Sequence, residues 1–262
     1  MKKSILFLLA ATIFMSACSE GDYTQLVFIK PTSDGITKSS DGNYIFENED
    51  IKISYTFWAE HGILGFEVYN KTDHPLYIDW KKSSMINDNK QFLYFTDKTS
   101  SNFGAYGKGY STKWTRDFNT SKSETHGAET VVKEERISFI SPHSYINKAF
   151  YNLTANIYFD ISRKKTEEKN VHGVHIYISK SDFAIQFRNY LSYSDNENFS
   201  TEKHIDNGFE IDKIYTMKTK DFGKVSKRDG LIESDWKSPS RFYVLHLWDG
   251  DVKPNSSTPQ VP

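Results

Sequence analysis

From Ile51 onward, apolar and polar residues alternate along the chain with a period of two. Ile51, Ile53, Tyr55 and Phe57 alternate with Lys52, Ser54 and Thr56. That period belongs to a strand with one buried face. Leu64, Phe66 and Val68 alternate with Gly65 and Glu67, and His61-Gly62 lies between the two runs as a turn. An antiparallel hairpin is predicted there. Leu76, Ile78 and Trp80 repeat the alternation after the turn formers of Asn70 to Pro75. Further strands are predicted over 136–140, 150–161, 172–179, 183–193, 209–217 and 241–248, with a short one over 25–30. The best helical stretch, 181–191, is rich in aromatic and β-branched residues, which favours strand there too. About ten short strands separated by turn signals predict an all-β fold, an immunoglobulin-like antiparallel β-sandwich with a long insertion and a C-terminal β extension.

The non-periodic stretches divide the chain. Residues 1–17 read as a leader, 18–42 as an anchor and tether, 43–250 as the sandwich, and 251–262 as a proline-bearing tail. Within the sandwich, 97–130 is too long and too polar for an ordinary loop and is expected as an insertion.

Composition agrees with sheet and narrows the function classes. Aromatic residues make up 15% of the 262 positions, with 16 Tyr and 19 Phe. Net charge is -1, and loss of Lys2 and Lys3 with the leader takes it to -3. No basic excess of the kind that grips nucleic acid is present, so no nucleic-acid partner is expected. One cysteine cannot close an internal disulfide, and no cofactor is implied by any motif.

Lys2 and Lys3 precede an apolar run from Ile5 to Met15, broken only by Thr12. It falls short of the roughly 20 residues that span a bilayer, and reads as a signal peptide. The run ends in Met15-Ser16-Ala17-Cys18. This resembles the lipobox of bacterial lipoproteins, with Met in place of the usual first Leu. The resemblance implies cleavage before Cys18, lipid on its thiol and acylation of the new amine. More than one acyl chain gives stable attachment where a single chain is marginal. The membrane, reached through lipid on Cys18, is therefore the first expected partner. Glu20 and Asp22 weakly resemble the acidic stretch that sends some Bacteroidetes lipoproteins to the cell surface. The expected location is the cell envelope, at the outer membrane, on its periplasmic or its surface-exposed face.

The stretch GILGFEVYNKTDHPLYIDWKKSSMI, residues 62–86, resembles a group of Bacteroidetes lipoproteins with an immunoglobulin-like fold. They share an apolar strand, an Asn-Lys-Thr-Asp-x-Pro turn, a Tyr-Ile-Asp-Trp strand and a following Ser. Here these are Asn70 to Asp73, Pro75, Tyr77 to Trp80, and Ser83 or Ser84. Ile140-Ser141-Pro142-His143-Ser144 and Phe187 to Ser194 fit later pieces of the pattern, with Ser141 replacing a proline. The likeness covers roughly residues 45 to 215 and carries over no catalytic residue. Read physically, Asn70 and Asp73 bond nearby backbone and Pro75 fixes φ at the strand entry. Trp80 is then a core anchor, and Asp79 faces out or accepts a hydrogen bond from Ser83 or Ser84.

Candidate chemistry is sparse. His172 and His175 are the close pair among eight histidines, and on a strand they point to opposite faces, so no metal site is expected. The Gly-x-Ser-x-Gly elbow of serine hydrolases does not occur. Glu134-Glu135 and Glu167-Glu168 are adjacent and point apart on strands. No enzyme is expected. In 97–130, Phe103, Tyr106, Tyr110, Trp114 and Phe118 recur among Lys98, Lys108, Lys113, Arg116 and Lys122. Rings flanked by cations suit sugar or protein surfaces, which makes Tyr106, Tyr110 and Trp114 candidate ligand contacts. The favoured alternative for the same rings is packing on the sandwich as a β-insertion. The expected function is a lipid-anchored binding module for an envelope protein or glycan, with a structural or accessory envelope subunit as the alternative.

Overall fold

The computed structural model describes residues 23–95, 135–153, 159, 166–179, 185–225 and 232–246. Its strands are β1 (Tyr23–Pro31), β2 (Ile36–Lys38), β3 (Tyr44–Glu47), β4 (Ile51–Thr56), β5 (Ile63–Asn70) and β6 (Leu76–Asp79). They continue with β7 (Ser84–Asn87), β8 (Lys90–Leu93), β9 (Ile137–Ile140), β10 (Tyr145–Asn152), β11 (Thr166–Val171) and β12 (Val174–Ser179). The last are β13 (Gln186–Ser194), β14 (Glu202–Lys218), β15 (Lys224–Val225), β16 (Ile232–Glu233) and β17 (Arg241–His246). One helical turn, α1 (Thr219–Phe222), follows β14.

Two antiparallel sheets carry the fold. The larger has ten strands, and runs β11-β12-β14-β13-β6-β9 with β1, β17, β7 and β8 attached beside that path. The smaller has five, in the order β10-β5-β4-β3-β2. The all-β sandwich expected from the alternation is therefore the fold, with more strands than the roughly seven to nine of an immunoglobulin domain. The expected 51–57/64–68 hairpin is the β4–β5 pair, with Tyr55 opposite Phe66. Gly62, at φ 72°, makes its turn possible, because a Cβ there would lie 2.9 Å from the Phe242 ring.

The long strand β14 organises the large sheet. One of its edges takes β13 over residues 202–210 and then β12 over 214–216. Its other edge takes β1, and β1 in turn pairs with β17. Opposite Phe28 and Ile29 the register skips Asp212, a bulge that reverses which residues face inward. Phe209 and Ile211 precede it and Ile214 follows it, yet all three reach the main core.

That core lies between the sheets, where Phe57 packs edge to face on Phe209 and Phe187 at 5.1 and 5.5 Å. Trp80 is buried there. A second, smaller core lies on the other face of the β1–β14–β17 region, where Leu26, Trp58, Met217, Phe222 and Tyr243 meet.

Two expected boundaries change. The tether placed over 18–42 gives way to strand by Tyr23, because β1 sits between β14 and β17. Both faces of β1 are buried, Val27 and Ile29 in one core and Leu26 in the other, so its sequence lacks the alternation that marks a half-exposed strand. The strand expected over 172–179 starts at Val174, because His172 and Gly173 take φ of 51° and 81° to turn the β11–β12 hairpin. The ligand contacts expected at Tyr106, Tyr110 and Trp114, the rest of 97–130, and Cys18 lie outside the described residues.

Candidate interaction face

Alternation along β13 sends Phe187, Leu191 and Tyr193 into the core and turns Arg188 and Tyr190 to the outer side, where Ser192 and Ser194 follow in register but are buried. The register extends that face across the sheet. Tyr190 stands opposite Asp206 on one side and Ser84 on the other. Ser84 in turn faces Leu93 across the β7–β8 hairpin. That hairpin closes through Asp88 and Asn89, both at positive φ, as two-residue hairpin turns require. Further along, Ser194 stands opposite Tyr77, and Tyr77 opposite Phe139.

The face mixes one exposed and two half-buried rings with paired charges. Phe139 is 53% exposed and meets Tyr77 edge to face at 5.8 Å. Leu93 is 44% exposed. Tyr190 stacks on His204 with centroids 5.4 Å apart. Arg188 Nη1 donates to Asp206 Oδ2 at 2.6 Å, and Lys82 Nζ donates to Glu202 Oε2 at 2.7 Å. The Lys82 ammonium, and then the Ser192 hydroxyl, hold the Glu202 carboxyl below its usual range. Between β7, β8 and β13 the face sinks into a shallow groove of about 350 Å3. Ser84 and Ile86 lie beneath it, and Gln91, Arg188, Tyr190 and Asp206 border it.

The other shifted groups are tied into the fold. Asp79, expected to face out, is 1% exposed. The Arg136 side chain covers it, donating to both carboxylate oxygens at 2.7 and 3.3 Å. Burial pushes the Asp79 carboxyl up, but Arg136 and the Lys81 and Lys82 amides outweigh it and bring it below its usual range. The Ser83 hydroxyl donates to the Asp79 backbone carbonyl at 2.7 Å, not to its carboxylate. Asn70 is fully buried; its amide donates to the carbonyls of His74, Ile140 and Ser141, and its oxygen accepts from Thr72. The Asn-Lys-Thr-Asp block is thus a clasp that joins the β5–β6 and β9–β10 corners.

Between the sheets, the amides of Asn189 and Asn207 both donate to the Tyr55 hydroxyl, and the Tyr94 hydroxyl donates to Asn189. Burial pushes the Tyr55 phenol far up. Asp50 accepts from the Tyr193 hydroxyl at 2.9 Å and from Lys203 at 2.6 Å. Burial pushes Tyr193 up to about 12. At the end of the core where β1 begins, His246 contacts Gln25 Oε1 through Nε2 at 2.8 Å and stacks on Tyr23 at 4.2 Å. Burial, and then nearby His61, bring His246 down to about 4. Among the described residues no cluster of three or more His, Cys, Asp or Glu is placed to hold a metal ion. His175 lies 3.9 Å from Glu168 on the neighbouring strand, while His172 sits in the turn.

The sequence did not single out this face. The period-two run of β13 puts Arg188 and Tyr190 on one side, but nothing local says that β14 and β7 bring Asp206 and Ser84 beside them. The fold defines an antiparallel β-sandwich protein with an aromatic, ion-paired outer face. No family model matches the chain. No curated protein and no solved structure matches it either.

Proposed function

We propose that the chain is a lipid-anchored protein of a bacterial envelope, held at the outer membrane, that binds an envelope partner through the outer face of its ten-stranded sheet. The anchor half rests on the leader and on Met15-Ser16-Ala17-Cys18. The binding half rests on one observation, the exposed Phe139 ring and the half-buried rings of Tyr77 and Tyr190 set among ion pairs on a single sheet face. Aromatic groups with Arg at a water-facing surface are the composition of binding patches. No catalytic role is assigned, because the shifted acids, tyrosines and histidines described above serve as clasps and core contacts.

Anchor and fold are close together. Tyr23, the first residue of β1, stands five positions after Cys18. Even a fully extended chain of that length reaches only roughly 18 Å. The sandwich therefore works against the membrane surface rather than on a long stalk. The anchor is tested by growing cells with labelled palmitate. The native chain should take the label and fractionate with membranes, and Cys18→Ala should do neither. Label retained by Cys18→Ala contradicts the proposal.

A further inference from the structure

We infer that the groove between β7, β8 and β13 is a binding site for a neutral saccharide. The inference rests on the reading of this face as a binding face, and names its ligand class. Three features carry it. First, the charged groups at the groove cancel, since Arg188 and Asp206 are bonded to each other at 2.6 Å. A charged ligand would have to break that pair. A polyol engages both members at once, its oxygens accepting from the guanidinium and its hydroxyls donating to the carboxylate.

Second, the amides of Asn89 and Gln91 offer a donor and an acceptor side by side at the groove, above the buried Ser84. Gln91 Nε2 donates to Ser84 Oγ at 3.1 Å, which fixes the amide in the groove. Asn89 borders it from the tip of the β7–β8 turn. Third, Tyr190 lines the groove and its ring is backed by His204 at an interplanar angle of 22°. A backed ring is a rigid platform for the C–H face of a sugar, and Ile86 adds apolar surface beside it. The volume, about 350 Å3, falls within the roughly 300–1,000 Å3 of small-molecule sites. An open groove on a sheet suits part of a longer chain better than an enclosed small molecule.

The test is affinity electrophoresis of the purified full chain in detergent. Native gels are cast with a soluble β-glucan, an α-mannan, a xylan or a dextran, and with polygalacturonate as the acidic control. At least one neutral gel should retard the protein. Arg188→Ala and Asp206→Asn should each weaken that retardation by about tenfold or more, as loss of a hydrogen bond to a charged group does. Tyr190→Phe should keep the retardation, because the ring is retained. Each variant is first checked for a native melting curve, and Asp206→Asn, the mildest change, keeps the test decisive if Arg188→Ala folds poorly. Absence of retardation in every neutral gel overturns the saccharide assignment, as does retardation by polygalacturonate alone or retardation that both Arg188→Ala and Asp206→Asn leave unchanged. Failure here leaves the face reading standing if cross-linkers on that face still capture a partner in cells, so the two can be told apart.

Discussion

Arg136 covers the carboxylate of Asp79 with a two-pronged contact, Nη2 to Oδ2 at 2.7 Å and Nε to Oδ1 at 3.3 Å. The acid is 1% exposed and the guanidinium side chain is half-exposed. Arg136→Ala leaves a buried charge short of its strongest donors, and should cost about 1–3 kcal/mol. Arg136→Lys should recover only part of this, since an ammonium cannot reproduce the fork. The check is the urea midpoint, which should fall at unchanged slope. The pair also sets an acid limb. Asp79 lies below its unfolded value of about 3.9, so its contribution is complete above that pH. It is lost as pH falls through the depressed folded value, and Arg136→Ala should flatten this limb.

Tyr55 joins the two sheets through a hydroxyl that accepts from both Asn189 and Asn207. Tyr55→Phe keeps the ring contacts with Phe209 and Phe66 but leaves both buried amides without that acceptor. The expected loss is about 1–3 kcal/mol for each unsatisfied group. Tyr94→Phe removes the donor to Asn189 and should cost less. A double-mutant cycle between Tyr55 and Tyr94 should show coupling, because both act on Asn189. Additive losses would show that the network is not a unit.

His246 gives a second and separate pH window. Its folded value is about 4, against about 6.5 when unfolded. The unfolded chain therefore binds the proton first, and stability falls as pH drops from about 6.5 towards 4, then levels off for this group. Chemical denaturation at a series of pH values should show this loss in the native chain. His246→Gln should remove it while leaving the limb below pH 4 that belongs to Asp79.

Much of this architecture is legible in the chain itself. The β4–β5 hairpin, the Asn70 turn and the burial of Trp80 follow from local alternation and turn chemistry, which act over a few residues. The rest depends on distant pairing. β1 carries no period-two signal because both of its faces are covered. The bulge at Asp212 scrambles the alternation within β14. Asp79 is on the outward side of its strand, yet it is buried because Arg136, 57 positions away, folds over it. The groove joins β7, β8, β13 and β14, and no local pattern brings Ser84 and Asp206 to the same place.

The claim that the outer face of the large sheet is the working surface is tested most directly by photo-cross-linking in growing cells. A benzophenone side chain is placed at Leu93 or Phe139 on that face, and at Tyr145 as control. Tyr145 is 57% exposed on the outer side of the five-stranded sheet. The expected result is a discrete adduct, or a polydisperse one if the partner is a glycan, from Leu93 and Phe139 only, and its loss in the Cys18→Ala background. Equal adducts from both sides of the sandwich, or adducts from Tyr145 alone, would contradict it.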